Sequence, residues 1–206
     1  MNFPNTLSVL RIVLSPVFLI LFLSGKELAV QLSTAVFTIA ALTDWYDGWY
    51  ARRYGFKTQW GRFLDPLADK ILTSSALIGF YLLGKKEPGF FGSAEFIPAG
   101  VLIAIIILRD IILTVVRSFM ELKGREFRTS VISKAKTFIQ MTYILSVLGF
   151  FTIAISAKGS PLGIEIRSLL FSEINYFLLL FITLLTVASG VAYIFESRTA
   201  AKSELV

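Results

Sequence analysis

Polar positions are sparse along most of this chain, and they cluster. Between the clusters lie six apolar stretches, near Leu7–Ser24, Leu28–Tyr50, Pro66–Gly84, Phe96–Phe119, Val131–Ala157 and Ile174–Phe195. An α-helix needs about 20 such residues to cross a bilayer, and long apolar runs of this kind are the signature of membrane spans. The expected architecture is an all-α integral membrane protein, a six-transmembrane-helix bundle in a single domain over residues 1–206. The third stretch is the shortest. Its clean apolar part starts at Ile71, and Asp65-Pro66 reads as an N-cap followed by a first-turn proline. The first stretch does not read as a cleaved signal peptide, because Arg11 lies within it and a basic start is almost lacking.

Composition sharpens the picture. Of 206 residues, 55% are hydrophobic and 17% charged, with mean hydropathy +0.74; a soluble domain carries roughly 45–50% apolar and about 25% charged residues. The sequence has no Cys and no His. That excludes disulfides, thiol nucleophiles, thiolate or imidazole metal sites and Ser-His-Asp catalysis. Chemistry is left to carboxylates, Lys, Arg, hydroxyls and bound metal. Basic residues also predict orientation. With the N-terminus inside, all but five of the 20 Lys and Arg residues fall on the cytoplasmic side, the exceptions being Lys26, Lys85, Lys86, Lys158 and Arg167. This positive-inside bias predicts N-in/C-in topology. The net charge of +6 resides in these loops and suits anionic lipid headgroups. Aromatics lie within spans rather than in a basic patch, so nucleic acid is not an expected partner.

The informative segment is TDWYDGWYARRYGFKTQWGRFLDPLADK, from Thr43 to Lys70. Asp44 and Asp47 are three apart and share a face at the end of the second span; Asp65 and Asp69 are four apart and share a face at the start of the third. Gly48 and Ala51 fall on the face of Asp44 and Asp47, a shallow floor for a bulky group, and Arg52 follows one turn on. A single Asp at a helix end reads as a solvated partner of Arg52, Arg53, Arg62 or Lys70. Four on facing helices read as a site. Such carboxylates raise one another's proton affinity and are costly near hydrocarbon unless cations join them. Oxygen-only ligands favour hard cations, Mg²⁺ or Mn²⁺, and two metals ~4 Å apart recur in displacements at phosphorus. A cation transporter is the reading from a different class; against it, the acids sit at span ends and no inverted repeat is found. Trp45, Trp49, Tyr50 and Trp60 read as interface anchors.

The spacing D-x2-D-G-x2-A-R-x8-G-x3-D-x3-D, carried by Asp44, Asp47, Gly48, Ala51, Arg52, Gly61, Asp65 and Asp69, resembles the signature of the CDP-alcohol phosphatidyltransferases at every position. The resemblance covers nearly the whole chain. It implies that Asp44, Asp47 and Asp65 hold two divalent cations, and that Asp69 adds a ligand or acts as general base on the acceptor hydroxyl. It implies that Gly48, Ala51, Arg52 and Gly61 border the CDP group of CDP-diacylglycerol, and that the enzyme is a homodimer.

Three further segments bear on the acceptor. The opening NFPNTLSVLRIVLSP, with Asn5, Thr6 and Arg11 at the cytoplasmic end of the first span, resembles the bacterial, glycerophosphate-accepting branch of the family and places Asn5 and Thr6 beside the donor. LRDIILTVVR carries Arg109, Asp110 and Arg117 on one arc of the fourth span, and SKAKT sets Lys134 and Lys136 at the start of the fifth. Arg117 also reads as ordinary positive-inside charge. Arg109 is flanked by apolar runs, and its neighbour Asp110 points about 100° away on a helix, an imperfect partner. Arg109 with Lys134, Lys136 and Arg117 would suit an acceptor that itself carries phosphate. That fits sn-glycerol 3-phosphate, giving phosphatidylglycerophosphate and CMP. Inositol phosphate would need a similar site, and serine would not.

Overall fold

In lipid every backbone N–H must find its partner within its own segment, so apolar runs of this length fold as helices. The computed structural model of the chain describes the backbone of residues 3–54, 59–93, 96–122 and 131–203, and the side chains of 7–43, 64–93, 96–120 and 132–193. Among these residues the chain is helical, without strands: α1 (Phe3–Leu23), α2 (Glu27–Tyr54), α3 (Gln59–Lys86), α4 (Ala99–Leu122), α5 (Val131–Ser156), α6 (Pro161–Leu170) and α7 (Glu173–Ser203). Four segments are long and apolar enough to cross a membrane: Leu64–Lys86, Ala99–Met120, Ile132–Ser156 and Glu173–Tyr193, the shortest of 21 residues. At 1.5 Å per residue each covers the roughly 30 Å of a bilayer core. The described apolar parts of α1 and α2, Leu7–Leu23 and Glu27–Thr43, are shorter.

Burial is arranged as lipid demands. Ile20, Ile39, Leu108 and Leu184 are largely exposed, while Ser33, Thr186 and Ser189 are fully buried. These three return their hydroxyls to carbonyls three or four residues back, which lets helices approach closely without an unmet polar group.

Two expectations change. α3 begins at Gln59, so Asp65-Pro66 is not its start; Pro66 lies inside the helix. A proline there leaves one backbone bond unmade, and the helix continues through it. The short α6 was not among the six stretches. Ser160 caps it, its hydroxyl accepting from the Gly163 N–H at 3.1 Å, and Pro161 stands in its first turn.

α1 packs on α2 and α3; further contacts run from α3 to α4, α4 to α7, α7 to α5, α5 to α2 and α5 to α6, with smaller ones of α3 on α2 and α5 and of α6 on α7. Among the described residues the backbones of α4 and α5 make no close approach. At the end holding the α1–α2 turn, where Gly25 takes a positive φ of 68°, the core is aromatic. Phe22 stacks on Phe18 at 5.7 Å and meets Phe80 at 5.8 Å and Phe151 at 5.4 Å. A side chain at Gly79 would meet the Phe22 ring at 3.1 Å, so the glycine lets α1 settle onto α3. Tyr143, Asn175 and the Phe90 carbonyl form a buried hydrogen-bonded chain above this core.

Candidate active site

At the opposite end the same helices enclose a cavity of about 1010 Å³ between α2, α3, α4 and α5. Its apolar wall includes Ala41, Leu42, Met141 and Leu145; its polar wall includes Asp69, Lys70, Arg109, Asp110, Arg117 and Lys134. A cavity that is apolar on one side and charged on the other suits a substrate with a lipid tail and an anionic head.

α3 places one of its motif aspartates in the cavity and the other one turn away. Asp69 lines the cavity, and its Oδ2 accepts from Lys70 Nζ at 2.8 Å. Asp65, one turn earlier, accepts a hydrogen bond from the hydroxyl of Ser8 on α1. Ser8 was not singled out from the sequence. A signal for it exists: Ser8, Arg11 and Ser15 fall on one face of α1, all three buried, a polar stripe in an otherwise apolar helix. The side chains of Asp44, Asp47, Gly48, Ala51 and Arg52 on α2, of Gly61 on α3, and of Asn5 and Thr6 on α1 lie outside the described residues. Among the described residues no group of three acidic side chains gathers.

The basic residues separate into two kinds. Arg109, Arg117 and Lys134 line the cavity. Arg117 sets its guanidinium 5.8 Å from the Tyr193 ring. Arg109 donates from Nη2 to Ser189 of α7 at 2.7 Å and from Nη1 to Asp110 at 3.1 Å, so its long arm overcomes the divergence of adjacent side chains. The Nε groups of Arg109 and Arg117 are buried without a hydrogen-bond partner among the described residues. Lys136 differs. It is 2% exposed and gives its ammonium to both oxygens of Asp110 at 2.5 Å. Nothing in the sequence distinguishes Lys136 from Lys134. Nor does it single out Ser189, since serine is common wherever membrane helices touch.

The donor set suits a hard cation. The carboxylate oxygens of Asp65 and Asp69 stand one helical turn apart, one held by a hydroxyl, and the chain has no nitrogen or sulfur ligand of the His or Cys type.

The chain is similar to known proteins over most of its length. A family model described as CDP-alcohol phosphatidyltransferase matches residues 1–195. A CDP-diacylglycerol–glycerol-3-phosphate 3-phosphatidyltransferase of Rickettsia typhi is 32% identical over 198 residues, covering 96% of this chain and 98% of the relative. Proteins of the same description from Wigglesworthia glossinidia brevipalpis and Salmonella typhi are 36% and 35% identical, over 76% and 71% of this chain and 87% and 76% of their own lengths.

Proposed function

The chain belongs to the CDP-alcohol phosphatidyltransferase family, and we propose that it transfers the phosphatidyl group of CDP-diacylglycerol to sn-glycerol 3-phosphate. The products are phosphatidylglycerophosphate and CMP, a step of phospholipid biosynthesis. The observation that carries the acceptor assignment is the set of cations, Arg109, Arg117 and Lys134, that lines a cavity also holding Asp69. A phosphate monoester supplies the acceptors that clustered Arg and Lys donors match. The names of the relatives point the same way.

In this reading Asp69 takes the proton of the acceptor hydroxyl. The freed oxygen attacks the lipid-linked phosphorus, the bond from that phosphorus to the CMP oxygen breaks, and CMP departs. Arg109, Arg117 and Lys134 hold the acceptor phosphate at the cavity wall, with Lys136 adding its charge from behind Asp110. Arg52 lies near the diphosphate, with Gly48, Ala51 and Gly61 beside the CDP group and Asn5 and Thr6 nearby. The apolar wall at Ala41, Leu42, Met141 and Leu145 receives the diacylglycerol. Asp44, Asp47, Asp65 and Asp69 would hold two Mg²⁺ or Mn²⁺ ions, and Ser8 would keep Asp65 in place. Bound there, such ions supply neutralisation of the diphosphate and of the leaving CMP. The protein's own contribution is positioning and fixed charge.

The same reading takes α1 and α2 as spans five and six beside the four already described. It treats residues 1–206 as one domain with both termini in the cytoplasm of a bacterial inner membrane, the site facing inward and two copies forming a homodimer. Purified protein in detergent with CDP-diacylglycerol, Mg²⁺ and a panel of acceptors tests the assignment through CMP release. Fastest release with sn-glycerol 3-phosphate is expected. Preference for inositol phosphate or serine would overturn the acceptor and leave the family untouched.

A further inference from the structure

We propose that Asp110 is a positioning residue for acceptor binding: it draws Lys136 behind the cavity wall and aims Arg109 along that wall, fixing where a phosphate can sit. The inference rests on the reading of this cavity as the acceptor site.

Asp110 lines the cavity yet is only 3% exposed, because its carboxylate is covered by two cations. Lys136 Nζ contacts both oxygens at 2.5 Å, and Arg109 Nη1 reaches one of them at 3.1 Å. The two cations come from different helices, α5 and α4, whose backbones make no close approach among the described residues. The ion pair therefore ties the two sides of the cavity together across that gap. Neither half tolerates solitude in the membrane, where an unpaired buried charge is far more expensive than a matched pair.

The charge balance shows what is left for a ligand. One carboxylate against one ammonium and one guanidinium leaves a single positive charge, and Arg109 presents it. Its Nη2 is committed to Ser189 and its Nη1 to Asp110, which leaves Nε without a partner among the described residues. A side chain at Gly190 would approach that Nε to 3.5 Å, so the glycine leaves room along α7 for the arginine arm. The guanidinium is held at two corners, and these bonds use two of its five N–H donors. A donor held in advance loses less freedom on binding than one on a mobile arm. Without Asp110, Lys136 and Arg109 repel each other, both are freed, and the wall loses its fixed donor.

The test compares Asp110→Asn, Asp110→Glu, Lys136→Met and the double variant Asp110→Asn/Lys136→Met, each assayed for Tm and for kcat and KM with both substrates. Asp110→Asn is expected to raise KM for sn-glycerol 3-phosphate about tenfold or more, as loss of a charged, oriented contact does, with kcat and the CDP-diacylglycerol KM little changed. Asp110→Glu is expected to restore most of the acceptor affinity. The double variant is expected to recover much of the Tm lost in either single variant, since the fully buried ammonium leaves together with its carboxylate, while its acceptor KM stays high. Should Asp110→Asn not fold, the double variant decides alone. Recovery of acceptor KM together with Tm in that variant, or an equal loss for both substrates in Asp110→Asn, would overturn the inference, because the pair would then be a structural tie only. Wild-type CMP release with sn-glycerol 3-phosphate checks the underlying reading separately; its absence overturns that reading and the phosphate site with it.

Discussion

The two ends of this molecule use the same helices in opposite ways. At the end of the α1–α2 turn, α1, α2, α3 and α5 meet through Phe18, Phe22, Phe37, Phe80 and Phe151, all buried, with ring centroids 5.3–5.8 Å apart. Salt bridges and hydrogen bonds stitch the rim there, Arg167 to Glu87 at 2.6 Å and Glu173 to Ser93 at 2.8 Å. At the other end, α2, α3, α4 and α5 stand around a cavity of about 1010 Å³ whose polar wall is charged. Packing closes one end, and charge holds the other open. A helix firmly seated at its far end can carry unsatisfied charges at its near end, and that is how an intramembrane site can persist before its substrate arrives.

Substitutions at the two ends should therefore have separable effects. The largest is expected for Asp44→Asn or Asp47→Asn. Each removes a proposed metal ligand, and turnover should fall roughly a thousandfold, equivalent to several kcal/mol of transition-state stabilisation, while Tm and membrane insertion stay normal. A near-wild-type rate in either variant would show that the carboxylate is not a ligand. Next comes Arg109→Gln. Loss of one charged contact to phosphate costs about 1.5–3 kcal/mol, so KM for sn-glycerol 3-phosphate should rise ten- to a hundredfold, roughly, with CDP-diacylglycerol affinity unchanged. If donor affinity falls instead, Arg109 belongs to the other substrate.

Ser8→Ala probes the carboxylate side through α1. Removing an outer hydrogen bond to a metal ligand lowers metal affinity by about tenfold. Mn²⁺ titration by calorimetry without substrate should show that loss, and Ser8→Thr should largely escape it. Equal Mn²⁺ affinity in Ser8→Ala and the wild type would make the bond to Asp65 incidental. The smallest effect on chemistry is expected at the closed end. Phe80→Ala removes ring contacts to Phe22, Phe90 and Tyr143. Lipid is as apolar as this core, so the loss is one of packing. It should lower Tm in detergent by roughly 5 °C and leave both KM values alone. A raised acceptor KM in that variant would mean that the two ends are coupled and would undo the comparison.

The helices were legible in the sequence because hydrophobic run length is a strong signal in lipid, and four segments reach spanning length with no help from context. The start of α3 was not. Asp65-Pro66 has the chemistry of a helix start, and only the residues before it reveal that the helix is already under way. α6 escaped because ten residues with a charged face make no span. In the site, the spacing of Asp44, Asp47, Asp65 and Asp69 was legible because a motif is a property of spacing. The distinction between Lys134 and Lys136 was not. Two residues along a helix turn a side chain about 200°, so one lysine faces the cavity and the other faces Asp110, and which is which depends on how α5 is rotated. Helix rotation is set by packing with α2 and α7, which no local pattern records.

We propose that the charged end performs metal-dependent transfer to sn-glycerol 3-phosphate. The most direct measurement is CMP release by purified protein from CDP-diacylglycerol and sn-glycerol 3-phosphate, first after exhaustive chelation and then with Mg²⁺ or Mn²⁺ restored. No release above background is expected in the chelated sample, with recovery on adding either cation. Full turnover in metal-free buffer would contradict it.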